Sequence, residues 1–338
     1  MIRTRLLLGL LAVTGIGAAV AADTSGQQLA QDAGHSLIGS PAPRLVLKTI
    51  DGGSIDLARF YGRKAVYLKF WATWCVPCRE QMPHFEHAYE TKGDDLAVIA
   101  VNVGFNDSVE DVQSYRRSVG LKMPIVIDDG RLAEALHLRV TPQHIVIGRD
   151  GRVAYIGHLV DERLESALRE ARAKAVNVST ASDGPAVASS SLYRVGDRVA
   201  GESIALPDGR ALPASDPAGR QSTVLVFLSP WCESYLAKSR PQRAEACRRS
   251  REDSERLAAT PGWRWIGIAS GLWATAADLE EYRTQKHVTI PISLDQSGGL
   301  FRRFGVKDVP TFVVIDAGGR VLSKSDRPPD AASPSRAL

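Results

Sequence analysis

Apolar residues fall along this chain in short blocks whose spacing switches between strand and helix. Residues 45–47 and 54–57 read as short strands joined by a turn at Asp51-Gly52-Gly53. The apolar run 65–70 predicts a buried strand, and a helical pattern follows from Arg79, with Pro83 expected to kink it. Residues 96–103 are almost continuously apolar, the mark of a central parallel strand buried on both faces. Residues 108–119 have helical period with Ser108 placed to cap them, 124–128 are extended, and 132–138 are helical. Two apolar runs, 145–147 and 153–156, flank Asp150-Gly151 and predict a hairpin, and 162–174 close as a helix. Strands that alternate with helices and end in a hairpin predict an α/β fold: a mixed central sheet flanked by helices.

The second half repeats this pattern. Asp51-Gly52, Gly62-Arg63 and Trp74-Cys75 recur as Asp208-Gly209, Gly219-Arg220 and Trp231-Cys232, all at an offset of 157. Thr141-Pro142 and Gly151-Arg152-Val153 correspond to Val309-Pro310 and Gly319-Arg320-Val321 at an offset of 168. The second copy is therefore longer by 11 residues, somewhere after its own Cys232. Each copy is large enough to be a domain, so the pattern is a tandem duplication and not a solenoid. The expected organisation is a signal peptide (1–22), a flexible leader (23–35), a first domain (36–172), an Ala/Ser/Thr-rich linker (173–191), a second domain (192–325) and a disordered tail (326–338).

Charge and cysteine usage narrow the function. Arg3 and Arg5 precede an apolar stretch, 6–20, and small residues at Ala21-Ala22, the pattern of a secretory signal cleaved after Ala21 or Ala22. The stretch is short for a membrane span of roughly 20 residues; a membrane anchor follows only if it stays uncleaved. No cysteine lies near it to carry a lipid. The expected location is a periplasm. The net charge of +4 falls to +2 without Arg3 and Arg5, and no basic run stands out, which argues against a nucleic-acid partner. Arg248-Arg249-Ser250-Arg251 alternates with Glu252 and Asp253 and reads as a solvated helix face. Only four cysteines are present, Cys75, Cys78, Cys232 and Cys247, too few for a disulfide-stapled scaffold and consistent with reactive thiols.

The chemistry concentrates at Phe70-Trp-Ala-Thr-Trp-Cys-Val-Pro-Cys78, where two cysteines sit at a strand-to-helix junction. Backbone N–H groups in the first turn of a helix have no helical partner and carry positive potential, which stabilises a thiolate on Cys75. The expected reaction is thiol–disulfide exchange: Cys75 attacks, a mixed disulfide forms, and Cys78 resolves it. Structural zinc wants four ligands, often two C-x2-C pairs, and Cys232 and Cys247 do not make a second pair, so no metal and no cofactor is expected.

These motifs resemble the TlpA/ResA-type branch of the thioredoxin superfamily. The resemblance rests on Gly39-x-Pro-Ala-Pro43 with the Asp51-Gly52 turn, on residues 70–83, on the segment from Asn102 to Asp128, and on Val140-Thr141-Pro142 before 145–147. It implies two tandem thioredoxin-like domains, a cis bond before Pro142 facing the cysteines, and a backbone beside it that pairs with an extended substrate. It also implies exported protein partners bearing disulfides or dithiols and a membrane or periplasmic electron donor; many members of the family are reductants, for example toward apocytochrome c or copper-site proteins, and both directions of exchange stay open here. Thr141, Trp74 and Pro77 are then candidate substrate contacts, with Trp71 and Trp74 read either as an apolar rim or as plain packing.

Two positions depart from the family pattern. Lys69 stands six residues before Cys75, where a buried carboxylate is usual; either it assists the thiolate, or its ammonium bends to water and does nothing. Gln143-His144 follow the proline where small residues are usual, and His144 reads as a proton carrier or as a satisfied strand histidine. In the second copy the resolving cysteine is replaced by Tyr235. On an unbroken helix the 15 residues from Cys232 to Cys247 would span roughly 22 Å, beyond disulfide reach. A fold-back at Pro241 would pair them as a second redox site with Pro310; otherwise the domain docks partners without chemistry or offers a monothiol. The rival functions are a peroxiredoxin-like peroxidase and a metal- or partner-binding module that uses Cys75 and Cys78 as soft ligands.

Overall fold

A computed structural model describes residues 16–173, 192–199 and 201–330, with side chains from residue 25 onward. The expected linker beyond Ala173, the tail from 331, and the first 15 residues of the expected signal segment lie outside the described residues. Among the described residues no helix is long and apolar enough to cross a membrane.

The first half runs α1 (Ile16–Gly34), β1 (Val46–Lys48), β2 (Ser54–Asp56), β3 (Ala65–Trp71), α2 (Val76–Glu80), α3 (Met82–Glu90), β4 (Leu96–Asn102), α4 (Val109–Val119), β5 (Ile125–Ile127), α5 (Arg131–Ala135), β6 (Gln143–Ile147), β7 (Val153–Gly157) and α6 (Glu162–Ala173). Its main sheet has the order β5-β4-β3-β6-β7. β3 pairs parallel with β4 and antiparallel with β6, so the sheet is mixed. All seven residues of β3 and of β4 are buried, which is why those runs are apolar on both faces and show no alternation. Ser108 and Asp111 form a reciprocal capping box at the start of α4.

The second half runs β8 (Ser203–Ala205), β9 (Ala211–Pro213), β10 (Ser222–Leu228), α7 (Cys232–Tyr235), α8 (Pro241–Ala258), β11 (Trp263–Ser270), α9 (Ala276–Lys286), β12 (Ile292–Asp295), α10 (Gly299–Arg303), β13 (Thr311–Ile315) and β14 (Val321–Ser325). Its sheet, β12-β11-β10-β13-β14, repeats the first in order and strand direction. The chain folds as two thioredoxin-like domains. The extra length of the second copy sits after Cys232: α8 has 18 residues where α3 has 9.

Two expectations change. The helix after Cys78 is divided and not merely kinked: α2 ends at Glu80, Gln81 breaks the run, and α3 starts at Met82. Pro83 has no N–H for a continuous ladder, and its ring would crowd the carbonyl one turn back. The flexible leader is in fact helical. α1 runs through residues 23–34 and across the expected cleavage position, and it is tied down. The Gln27 side-chain oxygen accepts from the backbone N–H of His158 at 2.6 Å and of Leu159 at 3.0 Å, and Ala30 is fully buried. Gly26 lies so close to His158 and Trp273 that a Cβ there would stand 2.7–2.8 Å from their rings. The polar Ala/Gln composition that reads as loose is a good helix former once one small-residue face has a surface to pack on.

Each domain keeps a core on one face of its sheet. A third apolar cluster is continuous through both domains and takes in Trp74, Cys75 and Phe105 from the first and Cys232, Leu272 and Phe301 from the second.

Candidate active site

β3 ends at Trp71 and delivers Cys75 to the N-cap of α2, with φ −77° and ψ 108°. Its sulfur accepts from the backbone N–H of Cys78 at 3.2 Å. Pro77 sits in the first helical turn, where its missing N–H costs nothing. Cys75 and Cys78 are joined as a disulfide, with Cα atoms 5.2 Å apart. The Thr141–Pro142 peptide is cis, and the Thr141 carbonyl oxygen lies 3.3 Å from the Cys75 sulfur. Cys78 from the first turn of α2 and Thr141 from the loop before β6 thus flank the Cys75 sulfur.

Lys69 is 0 % exposed, which removes the reading in which its ammonium reaches water. It points under the motif instead: Nζ donates to the Cys78 carbonyl at 3.2 Å and lies 5.7 Å from the Phe85 ring centre. Burial without a carboxylate partner pulls its pKa down to about 7. Its cross-strand neighbour is His144. The two ring nitrogens of His144 are satisfied at 2.8 Å each, Nδ1 by Tyr67 O–H and Nε2–H by the Gln81 side-chain oxygen. Burial, and then the nearby Lys69 charge, hold His144 well below its ordinary pKa, so it stays neutral. Of its two readings, the satisfied strand histidine is the one observed.

In the second domain α7 stops at Tyr235, the chain turns through 236–240, and α8 restarts at Pro241. That fold-back brings Cys232 and Cys247 into a disulfide, with Cα atoms 6.3 Å apart. Val309–Pro310 is also cis, and Pro310 and Cys247 line one small cavity. Cys232 is fully buried. Among the described residues no cysteine is free, and no group of three or more His, Cys, Asp or Glu is placed to hold a metal.

The two motifs face each other. Trp74 donates its Nε1–H to the Phe105 carbonyl at 2.8 Å and packs on Trp231, ring centres 5.1 Å apart, and on Tyr235 at 6.2 Å. Tyr235, which stands where a resolving cysteine would, accepts from the Val76 backbone N–H at 3.1 Å. Thr141 is buried, and its hydroxyl accepts from Trp273 Nε1–H at 3.3 Å. Of the expected substrate contacts, Trp74 and Thr141 therefore face the second domain, and Pro77 borders a groove of about 790 Å³ with Val76, Glu80 and Trp273. Trp71 is core, its ring tilted against that of Tyr115 with centres 5.2 Å apart.

Sequence reasoning missed Asp107 and Arg240. The Asp107 carboxylate accepts from Thr73 N–H at 2.7 Å, from Thr73 Oγ1–H at 2.5 Å and from Asn102 Nδ2–H at 2.7 Å. Arg240 reaches across from the second domain to pair with it at 2.8 Å. Burial pushes the Asp107 carboxyl above its usual range, and the bonds from Asn102 and Thr73 and the Arg240 charge pull it back. Neither residue carries a motif.

Residues 38–156 match the AhpC/TSA family. The chain is 37 % identical over 131 residues to the thiol-disulfide oxidoreductase ResA of Halalkalibacterium halodurans, covering 38 % of this chain and 73 % of that protein. It is 34 % identical over 120 residues to the ResA of Bacillus subtilis, covering 35 % of this chain and 65 % of that protein. Among solved structures, StoA from Bacillus subtilis is 28 % identical, with 38 % of this chain and 98 % of that chain covered and a TM-score of 0.33.

Proposed function

The chain belongs to the ResA-type thiol–disulfide oxidoreductases, and from that premise we propose that Cys75 and Cys78 exchange disulfides with exported proteins in a periplasm. The observation that carries this reading is the Cys75 sulfur at the helix N-cap, bridged to Cys78 and lying beside the cis Thr141–Pro142 peptide. In the dithiol form, the Cys75 thiolate attacks one sulfur of the substrate disulfide, and the other substrate sulfur leaves as a thiolate and takes up a proton. Cys78 then loses its proton and attacks the Cys75 sulfur. The substrate's second sulfur is released, two electrons have passed to the substrate, and the enzyme holds the Cys75–Cys78 disulfide.

Lys69 is the proposed proton acceptor for Cys78. Its Nζ lies 3.2 Å from that residue's carbonyl oxygen, and a pKa of about 7 keeps much of it neutral near neutral pH. The backbone around Thr141 and Pro142 is the proposed resting place of an extended substrate strand. We assign the role of reductant toward cysteine pairs of apocytochrome c or copper-site proteins, with a membrane or periplasmic donor restoring the dithiol. The support for this is the family's chemistry together with the basic-then-apolar N-terminal sequence, which suits export. The Cys232–Cys247 pair is proposed as structural.

The test is capture. Cys78→Ser should accumulate a mixed disulfide between Cys75 and a peptide bearing a C-x-x-C-H disulfide, and Cys75→Ser should accumulate none. No adduct with Cys78→Ser, or a Cys75–Cys78 pair that does not equilibrate with dithiothreitol, overturns the reading.

A further inference from the structure

Cys75 and Cys78 are 1 % and 0 % exposed, and the cover comes from the same chain. Exchange needs a third sulfur to reach the disulfide, and this cover lies in the way of one carried on a folded protein. The groove beside the motif ends on Trp74, Val76 and Pro77, short of either sulfur.

The cover is specifically built. On one side Trp231 and Tyr235 seat on Trp74, and the Tyr235 hydroxyl takes the Val76 N–H at the first turn of α2. On the other, the loop after β11 occupies the approach to the cis proline. There the Trp273 backbone N–H donates to the Arg139 carbonyl at 2.7 Å, and Arg139 returns bonds to the Gly271 and Ala274 carbonyls. The equivalent loop of the first domain does the same to the second: Asn106 N–H donates to the Lys307 carbonyl at 2.8 Å, and its side-chain oxygen accepts from Val309 N–H at 3.0 Å. Asn106 and Trp273 both hold a positive φ, at 54° and 56°, a backbone state that residues with side chains rarely adopt. Each domain thus presses one loop against the other's cis-proline segment.

One side chain ties this seam to the motif. Arg240 donates to the Asn106 carbonyl, to Thr73 Oγ1 at 2.6 Å and to Asp107 Oδ1 at 2.8 Å. Asp107 in turn holds the backbone N–H of Thr73, two residues before Cys75.

We infer that the second domain is a tethered cap that closes the Cys75–Cys78 site to protein partners, with Arg240 as its latch. The inference rests on the exchange reading above. Exchange with a protein then proceeds only from the open fraction of molecules, so its observed rate is the intrinsic rate scaled by that fraction.

The full chain is tested in its disulfide form, with reduced thioredoxin as a protein dithiol probe and a phosphine as a small one. Formation of the Cys75–Cys78 dithiol is followed by alkylation and mass spectrometry. Arg240→Ala should speed reduction by thioredoxin by about tenfold or more relative to the unaltered chain, with a smaller gain for the phosphine. Tyr235→Phe, which keeps the ring and loses one hydrogen bond, should give a smaller gain in the same sense and decides the matter should Arg240→Ala not fold. Equal thioredoxin rates for the unaltered chain and the folded variants overturn the cap and leave the exchange reading standing. Failure of every form to yield a Cys75–Cys78 dithiol overturns both.

Discussion

Lys69 shows how one side chain can be set by its surroundings more than by its type. In water a lysine holds its proton to about pH 10.5, but in this fold it releases it near 7, because no carboxylate compensates its burial. Between those values the unfolded chain binds more protons than the folded one, so stability rises with pH across that window. Below pH 7 the fold carries a buried ammonium whose cost is at most ~5 kcal/mol on this shift. Lys69→Met should therefore raise the urea midpoint at pH 6.5, and the gain should shrink steadily toward pH 10. A gain that does not depend on pH would mean the lysine is solvated when the chain is in solution. The same variant should slow resolution of the mixed disulfide, since it removes the proton acceptor proposed for Cys78.

At the scale of elements, the repeated helices depend on side chains that fill in for missing turns. Asp128 accepts from the N–H groups of Leu132 at 3.1 Å and Ala133 at 2.8 Å, capping α5 from upstream, and Asp295 accepts from Phe301 N–H at 2.8 Å to do the same for α10. Both carboxyls are pushed up to about 6 by burial. Asp128→Ala leaves a buried N–H group (Leu132) and a half-buried one (Ala133) without their acceptor and should cost about 1–2 kcal/mol of stability at pH 7. Denaturant titration of the variant checks it, and an unchanged midpoint would show that α5 holds without the cap. α1 belongs to this scale too: Gly26 permits an approach to His158 and Trp273 that any larger residue would crowd.

The whole molecule is joined across its seam by apolar surface and a few polar ties, and the second disulfide shapes the side that covers the redox motif. Cys232–Cys247 closes a 15-residue span over the turn between α7 and α8. Removing such a bridge costs about 3 kcal/mol in the chain-entropy account. The double variant Cys232→Ser/Cys247→Ser should lower the unfolding midpoint of the second domain by a corresponding amount. It should leave the Cys75–Cys78 couple able to equilibrate with dithiothreitol. Loss of that equilibration would instead make the second pair part of the electron path.

The buried strands, the C-x-x-C at a helix start, the duplication and the proline segments were all legible in the sequence, because each is set by local spacing: apolar runs, turn residues and a fixed offset between copies. The pairing of Cys75 with Cys78 was legible for the same reason. Lys69 and His144 could be named but not assigned, since their roles depend on whether water reaches them, and that is a property of the packed sheet. The leader was misread because a polar Ala/Gln helix is stable only against a surface supplied by β7 and the second domain. The pairing of Cys232 with Cys247 turned on where the chain breaks after Tyr235. The closed seam, with Asp107 and Arg240 at its centre, was invisible because residues 133 positions apart meet only when two folded domains dock.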